Sequence, residues 1–462
     1  MRHRISSFSI ATLFLGCLVG EVGCPPQPAV AALYTVGPGG THATIQAAVD
    51  AAAAPGFDEI RIHSGTYFEA VSFNILDNAV TVSGGWNDGF TSRSANPLAT
   101  RVTLARKPDK GFAALLQNGV LRLIGMTFEG GFLGPDATRP FVVGARGSVF
   151  EMSHCVVRGH TVRGRGKAQV LAMQVTTYEE PSSVSISDSR FSGNRAVSAG
   201  GRAPKHQLLG GALLVAVVGD DSGTVVELAR NVFEDNVIED AQVTAVNGIG
   251  LSLMVGTPAA TVKVIDSVIR NNRISSPIST DDTTGLWASV TAAQGTVLID
   301  RTLVLGNTSS RPASRQMHVV AADGPPNVKV TNSLVARGSG TGFHGEVSDD
   351  AALSLDGLTL ANNGGEGYRL VQSGQGTLKI VNSVLAGNGV PPAALGTVSK
   401  LRVKTLGLSH FVDAAADDYR LKASSSAVDV GINSYNVHGE LDLAGKPRLR
   451  GPQVDLGAYE VQ

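Results

Sequence analysis

VKVIDSVIRNN, residues 262–272, reads as two short strands joined at a bend. Val262 and Val264 alternate with Lys263, the period-two signature of a strand with one buried face. A small residue, Ser267, then precedes the short apolar pair Val268-Ile269, and the segment closes on Asn271-Asn272. The same sentence recurs as VSISDSRFSGN (184–194), VELARNVFEDN (226–236), LIDRTLVLGN (298–307), LSLDGLTLANN (353–363) and LKIVNSVLAGN (378–388). With the small residue as marker, the series runs Gly125, Cys155, Ser189, Asn231, Ser267, Thr302, Ser333, Gly357 and Ser383. The spacings are 30, 34, 42, 36, 35, 31, 24 and 26 residues. Helical repeats hold a nearly fixed period, whereas here the strands persist while the connecting loops grow and shrink, as in a β-solenoid.

Five residues beyond the marker, Asn194, Asn236, Asn272, Asn307, Asn362 and Asn388 recur. Asparagine suits a turn, and side chains stacked at the strand spacing of about 4.8 Å can form an amide ladder. A third strand follows each loop, as in GGALLVAVVG, GIGLSLMVG and RQMHVVAADG. Three short strands per turn, each parallel to its equivalent in the next, predict an all-β, right-handed, three-sided parallel β-helix over residues 32–400. TIQAAVDAAAA (44–54) reads as an amphipathic helix placed to cap the first coil, because open solenoid ends need covering. Residues 401–462 break the repeat and read as a capping or anchor-like module.

Composition agrees. Hydrophobic side chains make up 43% and charged ones 17%, which excludes a disordered chain. High glycine (55 residues) with only 5% aromatics favours short strands and tight turns over helical bundles. Thirty-eight basic against 39 acidic residues give a net charge of −1, so a nucleic-acid partner is not expected.

Arg2 and Arg4 precede an apolar stretch, Ile10–Val19, and Ala29-Val30-Ala31 supplies a small-residue cleavage pattern. Residues 1–31 therefore read as a signal peptide, with secretion to the exterior or periplasm. A second reading stands beside it: Phe14-Leu15-Gly16-Cys17 resembles a bacterial lipoprotein box, which would anchor the chain to the envelope through lipid. No later stretch is long and apolar enough to span a membrane as a helix. Only Cys155 survives cleavage after Ala31, so packing and hydrogen bonds must hold the exported fold. Cys155 sits at a marker position and reads as a small buried repeat residue.

YTVGPGGTHATIQAAVDAA (34–52), followed by DEIRIHSGTYFEAV (58–71), resembles the N-terminal part of pectin-lyase-like right-handed parallel β-helix proteins of exported bacterial type. GGWNDGFTSRSANPLATRVTL (84–104) is similar to the first-turn loop of many such proteins. LKASSSAVDVG (421–431) and LDLAGKPRLRGPQVDLGAYE (441–460) resemble the C-terminal module of choice-of-anchor-type surface proteins. The resemblance implies the fold. It carries over no catalytic residue, because that group mixes lyases, hydrolases, epimerases and adhesins.

Two neighbouring loops lack acids and are rich in cations. Arg158, Arg163, Arg165 and Lys167 fall in the first, with His154 and His160; Arg190, Arg195, Arg202, Lys205 and His206 fall in the second. Arginine suits bidentate contact with carboxylates, so residues 139–206 are a candidate groove for an anionic, uronate-containing polysaccharide. If the protein is an enzyme, β-elimination is the expected reaction, as in a polysaccharide lyase. Arg158, Arg163, Arg165, Lys167 and Arg202 would bind substrate, and Lys205 or His206 would act as base. The alternative is a non-catalytic cell-surface or adhesive scaffold, with these charges serving solubility. Turn acids on consecutive coils, Glu179-Glu180 and Asp220-Asp221, could converge as Ca²⁺ requires, or be ordinary exposed turn residues. His318 and His344, on adjacent third strands, form a pair with no third ligand evident from spacing. The expected state is a monomer.

Overall fold

The computed structural model describes residues 32–52, 56–104, 111–130, 132–133, 140–164, 170–198, 205–208, 210–219, 223–291, 293–433 and 440–462. They form a parallel β-helix. Among them, strands assemble into a 23-stranded, a 13-stranded and a 6-stranded sheet, with successive coils in parallel register. The register joins Val184, Val226, Val262, Val297, Val328, Leu353 and Leu378 into one inward column. Ile186, Leu228, Val264, Ile299, Val330, Leu355 and Ile380 form the next, and every member of both is at most 1% exposed. Each such side chain contributes about 1.5–3 kcal/mol by leaving water, so the columns are the main source of stability. Coils near the N-terminus fill with aromatics: Phe112, Phe128 and Phe141 pack with centroids 4.9–5.7 Å apart. The helix Ile45–Ala51, with Thr44 accepting from the Ala47 N–H, buries Ile45, Ala48 and Val49 in the same core.

The chain turns at single left-handed residues. His154, Asp188, Arg230, Asp266, Arg301, Asn332 and Asn382 all have φ between 45° and 56°, and each immediately precedes a marker. Gly125 and Gly357 occupy this left-handed column too (φ 66° and 65°), so the true markers in their coils are Met126 and Leu358. In these two coils the small residue is the bend glycine, and the marker position holds the larger Met126 or Leu358, so small size identifies the bend rather than the marker. The bends are also stapled: Arg230 donates twice to Asp188 at 2.7 and 2.8 Å, and Arg301 to Asp266 at 2.6 and 3.1 Å.

The amide ladder exists with one change of member. Asn194 donates from both its main-chain N and Nδ2 to Asn236 Oδ1, Asn236 likewise to Asn272, and Asn272 to Asn307. Asn363, not Asn362, continues the ladder to Asn388; Asn362 is left-handed and its side chain donates to the Tyr419 hydroxyl. The shift follows from the displaced marker in that coil. Gly338 stands at the intervening rung without a side chain, and Gln316 reaches in from a neighbouring strand to bond Asn307 and Asn363. A Cβ on Gly338 would lie 2.3 Å from Gln316 Cγ, so the glycine makes room for the substitute rung.

His160 is the ladder's N-terminal rung, its N–H donating to Asn194 Oδ1. Its ring is fully buried beside Phe112, and burial pulls its pKa down to about 3. The folded state therefore holds a neutral imidazole that the unfolded chain would protonate below about pH 6.5. Its contribution is present above that pH and is lost as pH falls towards 3, to a ceiling of roughly 5 kcal/mol. We expect His160→Asn to flatten the acid limb of a urea-stability profile between pH 6.5 and 4. An unchanged slope would contradict this.

Beyond the last long parallel strand, Val398–Leu406, the described residues 411–433 and 440–461 do not lead away from the solenoid. They pack on its flank. Leu334, Ala336, Ala361, Val384 and Ala386 point outward from the coils, and Phe411, Tyr419, Leu421, Leu456 and Ala458 cover them. No described helix is long and apolar enough to cross a membrane.

Candidate functional site

Short strands after each marker set their middle residue inward and turn both neighbours to the outer face. In Arg190-Phe191-Ser192, Val232-Phe233-Glu234 and Val268-Ile269-Arg270 the core receives Phe191, Phe233 and Ile269. Parallel register then aligns the charged neighbours across coils: Arg158, Ser192, Glu234 and Arg270 form one outward row. Ion pairs follow that row. Glu129 lies between Arg101 (3.7 Å) and Arg158 (3.2 Å). Glu234 lies between Arg190 (3.0 Å) and Arg270 (2.7 Å). Across the next bend, Glu239 is shared by Arg195 and Arg273, which hold its carboxyl below the usual range.

Each set has two guanidiniums for one carboxylate, so each keeps a positive charge. The arrangement is layered: Arg190 and Arg270 side chains are 51% and 44% exposed, over a Glu234 side chain at 8%. Beside the second set, an open cleft of about 350 Å³ is lined by Asn96, Leu98, Arg158, Asp188, Arg190 and Ser192. That volume lies at the low end for ligand sites. Asp188 turns its carboxylate to Arg230.

The residues expected to bind or react are distributed as follows. Arg158 lines the cleft, and Arg163 is exposed on the next strand, Thr161–Gly164. Lys205 is exposed at the start of strand His206–Leu208. His206 is buried, its side chain 2% exposed, with Nε2 3.4 Å from Asp240 Oδ2. Burial opposes the Asp240 charge, but bonds from His206, the Gln242 N–H and the Ser198 hydroxyl outweigh it and hold the carboxyl low. A base must reach a substrate proton, and this ring is instead buried against the Asp240 carboxylate. Arg165, Lys167, Arg202, Asp220 and Asp221 lie outside the described residues. Glu179 and Glu180 are brought together around Arg146, at 2.9 and 3.2 Å. Cys155 is buried, and burial pushes its thiol up to about 11, far from a reactive thiolate.

Sequence reasoning counted Arg190 and Arg195 among the basic-loop charges but missed Arg270, Arg273 and the glutamates that they share. The signal was present in the alternation: a charged residue on either side of a buried one, recurring coil after coil. Asp442, Asp455 and Glu460 serve the flank module's main chain. Asp442 accepts from Ala444, Lys446 and Glu460, Asp455 from Asp429 and Val461, and Glu460 from Arg450 and Asp455.

No family model matches the sequence, and no curated protein matches it. Among solved structures, the chain is similar to pectate lyase Pel9A at 13% identity and TM-score 0.48, over 94% of this chain and 98% of that one. It is also similar to tailspike protein 3 of bacteriophage CBA120 (9% identity, TM-score 0.29, 77% of this chain and 53% of that one). A pectin methylesterase from Aspergillus niger matches at 13% identity and TM-score 0.22, over 90% and 95% of the two chains. At these identities the likeness concerns the fold alone.

Proposed function

We propose that the protein is exported and binds an anionic, uronate-containing polysaccharide along the outward rows of arginines. The observation that carries this reading is the repeated sharing of one carboxylate by two guanidiniums, at Glu129, Glu234 and Glu239. The rows leave surplus positive charge along the coil axis, beside an open cleft. A polymer with a carboxylate on each sugar can run along such a surface and exchange partners with the exposed arginine heads. β-Elimination would rest on the exposed Lys205 alone, because His206 is engaged internally with Asp240.

One observation favours the rival scaffold. Every guanidinium in these rows already has a carboxylate partner on an adjacent coil, as expected if the charges only staple coils together.

The readings separate on salt and on mutation. Polygalacturonate and alginate are expected to bind the purified protein at low ionic strength and to weaken steeply as salt rises. Arg158→Ala combined with Arg190→Ala is expected to weaken binding at least tenfold, since a charge-assisted bond contributes about 1.5–3 kcal/mol. Binding that ignores both salt and the double substitution, or no binding to any polyuronate, would leave the scaffold.

A further inference from the structure

A different sheet, on different coils, carries a second constellation. On the third strands Arg315–Ala321 and Thr341–Val347, His318 and His344 are in register on the outward face, above Trp287 and below Arg369. Their rings stack with centroids 4.8 Å apart and 20° between planes. Glu346 is two residues from His344, so the strand period returns it to the same face. Both Nε2 atoms converge on one atom, Glu346 Oε1, at 3.1 Å from His318 and 3.2 Å from His344. The first contact has hydrogen-bond geometry and the second does not. The His344 side chain is only 6% exposed, and neither of its ring nitrogens makes a hydrogen bond. A buried imidazole with both nitrogens unsatisfied is costly and calls for an explanation.

We propose that His318, His344 and Glu346 form a transition-metal site, taking Zn²⁺, that clamps two adjacent coils together. Among the described residues this is the only group of three His, Cys, Asp or Glu donors lying within 4.8 Å of one another. Zinc bonds of about 2.0–2.1 Å in a tetrahedron place neighbouring ligand atoms about 3.3–3.4 Å apart. The two N···O separations already approach that edge length. The two imidazoles must close from stacking distance, a small rotation about the outer bonds of side chains that share one face. Two nitrogens with one oxygen suit zinc, whereas Ca²⁺ and Mg²⁺ require shells of oxygens. To bind through Nε2 each neutral ring carries its proton on Nδ1. Glu346, with a side chain 41% exposed, opens the cluster to solvent, so a water completes the fourth position. Two guanidiniums bear on the cluster, Arg315 and Arg369, and each is ion-paired, to Asp281 and Glu366 respectively.

The test titrates Zn²⁺ alone into full-length protein purified without a polyhistidine tag. Bound metal is quantified after equilibrium dialysis, and Co²⁺ is used as a spectroscopic replacement. The expected result is one retained zinc per chain, with intense visible bands from four-coordinate Co²⁺. Glu346→Gln, which keeps the shape of the site, is expected to weaken retention at least tenfold, and His344→Ala to abolish it. His63→Ala, at a surface His–Asp pair elsewhere, should leave retention unchanged. Should His344→Ala fail to fold, Glu346→Gln and the wild-type Co²⁺ spectrum still decide the matter. Failure of the wild type to retain zinc, a six-coordinate Co²⁺ spectrum, or equal retention by Glu346→Gln would each overturn the proposal. None of these outcomes depends on glycan binding.

Discussion

Replacing Asn236 by leucine is expected to cost the fold about 3–6 kcal/mol, enough to remove much of a typical domain's stability. The side chain sits at zero exposure in the middle of the ladder. Its Oδ1 accepts from the main-chain N and the Nδ2 of Asn194, while its Nδ2 donates to Phe191 O and Asn272 Oδ1. Leucine has a similar volume, so the loss is one of partners rather than of packing. The Asn194 main-chain N–H and the Phe191 carbonyl would lose this partner outright, while Asn194 Nδ2 keeps Val157 O and Asn272 Oδ1 keeps the residue-236 main-chain N–H. An unsatisfied buried group costs about 1–3 kcal/mol, and the two weakened ones add to it. Urea unfolding monitored by circular dichroism checks this. A loss below about 1 kcal/mol would mean that the ladder is a consequence of stacking and not a support for it. Because the rung is shared between coils, Asn236→Leu and Asn272→Leu should be strongly non-additive when combined.

The second large effect concerns the flank module. Arg448 and Glu460 form an ion pair at 3.2 Å with side chains 3% and 1% exposed. Arg448 also donates to the carbonyls of Asp455 and Gly457. Burial already pushes the Glu460 carboxyl up to about 7, so without Arg448 it loses the partner that favours its charge, and breaking such a buried pair costs about 3–5 kcal/mol. Arg448→Met is therefore expected to release residues 411–461 from the coils and to uncover Leu334, Ala361 and Val384. The readouts are binding of an apolar dye and rapid proteolysis after residue 406, with the strand signal of the solenoid retained. The double substitution Arg448→Met with Glu460→Leu should recover most of the loss, since apolar replacement of a buried pair is often neutral. A protease-resistant Arg448→Met protein would show that the apolar contacts alone secure the module.

Much of the architecture was readable because strand alternation is local. Val262 and Val264 two residues apart declare an inward face wherever they occur, and the recurrence of Asn after the marker declares a ladder. The slips at Gly125 and Gly357 arose because in those coils the left-handed bend is a small glycine while the marker position carries the larger Met126 or Leu358, so small size pointed to the wrong residue. The flank module had a sequence trace that went unread. The strands after the marker are RFS, VFE and VIR in the early coils but LVL, LVA, TLA and VLA in the later ones. Outer positions turn apolar in those later coils because Phe411, Tyr419 and Leu456 cover several of them.

The candidate sites were less legible than the fold. Basic loops stood out because charge composition is visible without coordinates, yet the same composition could not show that His206 faces Asp240 inside the protein. Arg190, Glu234 and Arg270 are each about one coil apart, and loops of unequal length hide their common row. Glu346 was within two residues of His344 and was passed over, because the search for a third ligand followed motif spacing and not the strand period.

From its residues alone, then, the chain determines that it winds into a parallel β-helix, which faces are buried, and where amides stack. These depend on periods of two residues and on the repeated turn, both short-range properties of the backbone. Tertiary structure decided the rest: Gln316 filling the rung that Gly338 leaves empty, the module folding back on the flank, glutamates shared between coils, and two histidines meeting one carboxylate. Such contacts depend on how many residues each loop spends between coils and on which side chains reach across a 4.8 Å step, and only the assembled register sets both.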